Sequence, residues 1–199
     1  MDLTWFLPWF GLMFPLAFSA GPNNLMCASC GAAYGFRRTL PLILGINTII
    51  ALYSVLAGTG IGELFIHTPW LMQYFRIAGC IYILWLAYSF FRAGIQRNNP
   101  VSVQSAGYFT GVLVSALNPK LILALILMYS QFFNPSGKLV PQIIVLTTAV
   151  VLLSASAHVV WTMAGNFLSL LLRTERWQKI QYFFFGCMLV VVAVWLVRS

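Results

Sequence analysis

Apolar residues run in six long blocks along this chain, at about 4–34, 39–62, 69–91, 105–133, 139–172 and 179–197. Each block reaches the roughly 20 residues that a helix needs to cross a hydrocarbon core of about 30 Å. The pattern predicts an all-α integral membrane protein of about six transmembrane helices. Short polar stretches separate the blocks: Arg37-Arg38, Gly62-Glu63 to Pro69, Arg92 to Asn99-Pro100, Asn134 to Lys138, and Arg173 to Lys179.

Composition agrees. Of the 199 residues, 61% are hydrophobic and only 7% charged, too little charge to cover a soluble surface. The net charge of +8 comes from eleven Lys and Arg against Asp2, Glu63 and Glu175. In a soluble protein that balance would suggest nucleic acid. Here the basic residues cluster at the ends of apolar runs, which reads as topology control and contact with anionic lipid, and nucleic-acid binding is excluded. One set of connections holds Arg37, Arg38, Arg92, Arg97, Arg173, Arg176 and Lys179, and the other only Lys138 and Arg198. The positive-inside rule places the first set in the cytoplasm and both termini outside. Arg76 then falls near the outer end of the third span, snorkelling outward. The start, Met1 to Trp5, lacks a basic region, and Phe18 stands where a cleavage site needs a small residue, so the first block is expected to remain a span. The four Cys lie inside apolar runs and do not form a secreted disulfide framework. Trp5, Trp9, Trp70 and Trp177 fall near span ends and read as an interfacial belt, whereas Trp85, Trp161 and Trp195 read as packing.

The chain repeats itself. Pro22 and Pro119 each interrupt the first helix of a three-helix set, 97 residues apart. Ala57-Gly58 recurs as Ala164-Gly165, and Gly79-Cys80 as Gly186-Cys187, both at an offset of 107. The expected organisation is one three-helix repeat at 1–92, a cytoplasmic connection at 93–104 and a second three-helix repeat at 105–199. Three is odd, so the second copy enters the membrane from the opposite side, the inverted-repeat plan of many transporters.

Two motifs could carry chemistry. In Ser19-Ala20-Gly21-Pro22-Asn23-Asn24, proline removes a backbone donor in mid-block, and two amides follow at a depth where only protein or a watery cavity can satisfy them. A plain kink with the Asn side chains bonding a neighbouring helix is the simpler reading; a broken helix lining a site is the functional one. In Asn118-Pro119-Lys120, Asn followed by Pro is the order of an N-cap and first helical residue. Lys120 lies roughly 14 residues from either end of its block, where a charge usually faces a cavity or partner; the alternative is snorkelling. Two helices restarting near the midplane from opposite sides would aim partly positive N-termini at a carboxylate. Lys120 would add a full charge, and Asn23, Asn24 and Asn118 could accept from an ammonium group. An amino acid, with both groups on one carbon, suits such a site.

These motifs also carry a resemblance. Gly21-Pro22-Asn23-Asn24 followed by Gly31 to Arg38 resembles the first-helix signature of the lysine exporter and homoserine/threonine resistance (LysE/RhtB) family. Gly79 to Tyr88 is similar to that family's third helix, and Gly111 through Lys120 to its fourth. The resemblance covers nearly the whole chain. It implies a multi-pass, proton-coupled inner-membrane exporter of amino acids or their derivatives. The expected mechanism is alternating access around a midplane site built from the two broken helices, with no cofactor. The exporter's partners would be the small-molecule substrate and membrane lipid, and it could form a homo-oligomer. Many relatives carry Asp after Gly-Pro, where this chain has Asn23, so a carboxylate that would carry the proton is missing. The two-Asn form is more similar to the cysteine/O-acetylserine exporter branch than to the lysine exporters.

Few polar residues remain. His158, in mid-block, titrates near physiological pH and is the best remaining proton carrier; a neutral His bonded within the bundle is the alternative. Asn47 and Asn166 read as interhelical bonds. Cys27 and Cys30 could make a redox couple, and the family's fold is similar to that of thiol-carrying membrane proteins. A membrane thiol–disulfide carrier is therefore one rival. Its partner cysteine is absent, however, since Ala124 and Leu127 stand 97 residues on. A channel or metal exporter is the other rival, but metal transport would want clustered carboxylates or His.

Overall fold

In the computed structural model, which describes residues 5–60, 69–95, 107–134, 137–171 and 175–198, the chain forms eight helices and, among those residues, no strand. They are α1 (Phe6–Phe18), α2 (Pro22–Tyr34), α3 (Phe36–Gly58), α4 (Pro69–Ile95), α5 (Tyr108–Ala116), α6 (Pro119–Phe132), α7 (Leu139–Leu171) and α8 (Glu175–Arg198). Asp2, Glu63, Arg97, Arg173 and most of the 93–104 connection lie outside the described residues, as do the side chains of Arg76, Arg176, Trp177 and Trp195.

Among the described residues two helices, α3 and α7, are each long and apolar enough to cross a membrane, and α5 with α6, bent by 65° at their break, would make a third if the pair is one span. The 33 residues of α7 span about 50 Å at 1.5 Å per residue, well beyond a hydrocarbon core. Large apolar side chains such as Leu44, Leu52, Leu152 and Phe167 stay exposed, as a lipid-facing surface requires. The chain is an all-helical membrane protein.

The first and fourth blocks are each split at their proline. α1 closes with the Ser19 N–H donating to Pro15 O at 3.0 Å. Gly21, at φ −170° and ψ 173°, is extended, as the residue before proline must be to avoid the ring. Pro22 then occupies the first helical position, where no donor is needed. A Cβ at position 21 would stand 3.1 Å from Lys120 Nζ and 3.2 Å from its Cδ, so a larger residue there would have to displace the flexible lysine stem by a few tenths of an ångström. In the fourth block Asn118 is extended at φ −93° and ψ 99°, and its side chain accepts from the Lys120 N–H at 3.1 Å.

The boundary at Arg37-Arg38 moves. Both arginines lie in the first turn of α3, and the connection shrinks to Gly35, whose φ of 80° turns the chain between α2 and α3. That left-handed conformation is open to glycine at little cost.

Packing is closest at two crossings. A Cβ on Gly31 of α2 would run into the Thr162 carbonyl of α7, and one on Gly165 of α7 into the Ala28 carbonyl of α2. Between α3 and α5 the same reciprocity holds: Gly45 faces the Tyr108 carbonyl and Gly111 the Leu42 carbonyl. Small residues let backbones touch, which is how helices associate where water provides no hydrophobic drive. α2 is the centre of the molecule, with every residue from Pro22 to Gly31 buried. α4 and α8 pack along each other, joined by the Cys80 thiol donating to the Ala193 carbonyl at 3.5 Å. Trp9, expected at the interface, is instead 1% exposed; α1 turns that face inward onto the bundle.

Candidate functional site

The two breaks meet. Asn118 Nδ2 donates to Asn23 Oδ1 at 3.1 Å, and Asn23 Nδ2 donates to Ser115 Oγ at 3.3 Å. With Asn118 Oδ1 capping α6, each amide nitrogen and oxygen of Asn23 and Asn118 has a partner, though not the second N–H donor of either, and together they tie the α2 start to the α5–α6 break. Each is less than 8% exposed, so these bonds answer the cost of leaving buried amides unpaired.

The broken end of α1 is met by side chains from three other segments. A helix terminus leaves four carbonyls without an intrahelical partner, and apolar surroundings supply none. Here Ser19 Oγ donates to Leu16 O at 3.0 Å, Asn24 Nδ2 to Ala17 O at 2.7 Å, and Trp161 Nε1 to Phe18 O at 3.1 Å. Asn24 also donates to Ser19 O at 2.9 Å. Lys120 Nζ completes the set, at 2.7 Å from Ser19 Oγ, 3.3 Å from Ser19 O and 3.5 Å from Ala20 O. A cation at a helix C-terminus is also favoured by the helix dipole. Lys120 therefore bridges the end of α1 to the start of α6.

The start of α2 is left open. Gly21 offers no side-chain cap, and the N–H groups of Asn23 and Asn24 make no hydrogen bond. Asn24 Oδ1 is buried without a partner. Beside these groups lies a cleft of about 520 Å³, counted with the open space at its mouth, although Asn24 Oδ1 itself is sealed from solvent. Gly21, Asn23, Asn24, Asn118, Lys120 and His158 all line it, together with Ser154 and apolar residues of α1, α3, α6 and α7. Pro22 and Pro119 are buried behind it and set the two breaks.

His158 is 3% exposed, and its Nδ1 lies 3.3 Å from Asn47 Nδ2. Asn47 also donates to Ile43 O at 2.8 Å. The His and the α3 amide read from the sequence thus form one pair across the α3–α7 contact. Cys27 and Cys30 sit one turn apart on α2, each 0% exposed. Among the described residues no three His, Cys, Asp or Glu side chains gather as a metal site would need. Sequence reasoning named Ser19 only as part of its motif and missed Ser115, Ser154 and the Trp161 bond; polar residues spaced through apolar helices were the available signal for them.

Apolar helices, two of them broken at proline beside a polar cleft, define a multi-pass membrane transporter. Comparison with known proteins gives the family. The family model described as LysE type translocator matches residues 14–199, and the chain belongs to that family, as its motifs predicted. Members are inner-membrane transporters, not enzymes. The chain is 27% identical over 157 residues to a homoserine/homoserine lactone efflux protein of Salmonella typhimurium, covering 76% of each chain. It is 25% identical over 150 residues to a cysteine/O-acetylserine efflux protein of Salmonella paratyphi A, covering 75% of this chain and 76% of that one. An uncharacterized membrane protein of Vibrio cholerae is 30% identical over 149 residues, covering 72% of this chain and 71% of its own. No solved structure matches.

Proposed function

We propose that this chain exports amino acids or their neutral derivatives, binding them where the two broken helices meet. The observation that carries this is the pairing, in one cleft, of an uncapped helix N-terminus and Lys120 with the unpartnered Asn24 Oδ1. The first two suit a carboxylate and the third an ammonium. Lys120 reaches the carboxylate by leaving the Ser19 and Ala20 oxygens, so substrate binding loosens the end of α1. The efflux relatives, named for homoserine and for cysteine and O-acetylserine, support the same substrate class. The test is export from reconstituted vesicles of a free amino acid against its carboxamide. Preference for the free acid is expected; equal transport of both would remove the carboxylate site.

Transport is assigned to alternating access between two inverted repeats, α1–α4 and α5–α8, of three spans each. A two-fold axis in the membrane plane would exchange α1 with α5, α2 with α6, α3 with α7 and α4 with α8. The α2–α7 crossing then corresponds to α3–α6, and α3–α5 to α1–α7. Backbones touch in the first of each pair, on the side of Arg37 and Arg38. Their counterparts pack less extensively, and the cleft lies among α1 and α6 on that opposite side. This imbalance supports a state closed to the cytoplasm and open outward, with the exchanged contacts describing the inward-open state. Proton coupling is assigned to His158, a titratable ring in the wall of the cleft.

A further inference from the structure

Ser154 and His158 stand four residues apart on α7, on one face, and both line the cleft. Ser154 is 9% exposed, and its hydroxyl makes no hydrogen bond within the protein, not even to the preceding turn of its own helix. By contrast, Ser156 and Thr162 on the same helix both donate to earlier carbonyls, at 2.6 and 2.7 Å. His158 uses only one ring nitrogen. With Nδ1 accepting from Asn47 Nδ2, a neutral ring carries its proton on Nε2, and that N–H has no partner in the protein. Neither atom is sealed within the protein as the Asn24 and Asn47 amide oxygens are, so both open onto the cleft, whose lining also includes the apolar Met13, Leu16, Ile50, Leu125 and Val150. Polar groups so placed are answered by water or by what the cleft binds.

We infer that Ser154 and His158 Nε2–H form a second polar patch that receives the side chain of the substrate and selects one bearing a neutral oxygen, such as a hydroxyl or ester. This rests on the amino-acid export proposed above. A hydroxyl and an N–H together offer two donors to one oxygen with two lone pairs, and the serine can also accept from a substrate hydroxyl. No Asp or Glu lines the cleft, so a cationic side chain would be desolvated there without a counter-charge. A purely apolar side chain would leave both donors unpaired, which is how a hydrogen-bonding site rejects an analogue lacking the group.

The test compares homoserine with norvaline, in which a methyl replaces the hydroxyl, and with lysine, in reconstituted vesicles. Wild type is expected to favour homoserine over both. Ser154→Ala should cut the homoserine-to-norvaline ratio by about 2- to 10-fold, the worth of one neutral hydrogen bond. Ser156→Ala, on the exposed side of α7, should leave the ratio unchanged. Should Ser154→Ala fail to insert, Ser154→Thr and Ser154→Val form the second comparison: they are alike in shape and differ in the hydroxyl, and only the threonine should keep the ratio. A wild-type ratio in Ser154→Ala or Ser154→Val, with transport intact, overturns the patch. If wild type moves none of these amino acids, the export reading falls and the patch falls with it.

Discussion

Lys120→Met keeps most of the apolar stem that lies over Gly21 and removes the ammonium that holds the end of α1. Three contacts go with it, to Ser19 Oγ, Ser19 O and Ala20 O. The three oxygens do not lose equally. Ser19 O keeps the Asn24 amide and Ser19 Oγ still donates to Leu16 O, so only the Ala20 carbonyl is left without its partner. Hydrogen bonds to a charged group contribute about 1.5–3 kcal/mol, and the cation at the helix end adds about 0.3–1 kcal/mol. Relief from burying a half-exposed charge offsets part of this, so a net destabilisation of about 1–2 kcal/mol is expected. Separately, the carboxylate of the substrate loses its charged partner, and affinity for free amino acids should fall roughly 10- to 150-fold. The two effects have different readouts. Thermal unfolding of the purified protein in detergent reports the first. Export of a free amino acid against its carboxamide reports the second: wild type should prefer the acid and the variant should lose that preference. Lys120→Arg should recover part of each, since its planar fork meets the same oxygens differently. If Lys120→Met unfolds earlier yet transports with normal affinity and still discriminates acid from amide, Lys120 only caps α1, and the open start of α2 binds the carboxylate alone.

His158→Gln is expected to retain a hydrogen bond to Asn47 while abolishing the response of export to an imposed pH gradient; undiminished pH-driven export removes His158 from coupling. Gly165→Val at the α2–α7 crossing forces a branched side chain against the Ala28 carbonyl and should shift the protein toward the inward-open form. Greater labelling of an introduced cysteine from the cytoplasmic side checks this, and unchanged labelling counts against the assigned state. A C-terminal reporter active only in the cytoplasm should be silent; a bright one contradicts six spans with both termini outside.

What could be read from the sequence divides along physical lines. Proline breaks are legible because their cause is local: Pro22 and Pro119 lack a donor and force Gly21 and Asn118 to be extended wherever the chain lies. The long apolar runs of α3 and α7 are legible for the same reason. Partnerships between segments are not, because they depend on which helix ends arrive together. Asn23, Asn24 and Asn118 read alike in sequence, yet two of them bind each other and only Asn24 keeps a free acceptor. Lys120 reads as an isolated charge at depth, and no local rule says that the oxygens of Ser19 and Ala20, 101 and 100 residues away, have lost their own helical partners. The break that creates those orphan carbonyls also creates the need for a donor at that depth. Lys120, at the start of one broken helix, answers the break of another, and under the proposed function a substrate carboxylate that drew it away would reopen that need. Binding at one broken helix would in this way be tied to the conformation of the other, which is the coupling the proposed export requires between occupancy and movement.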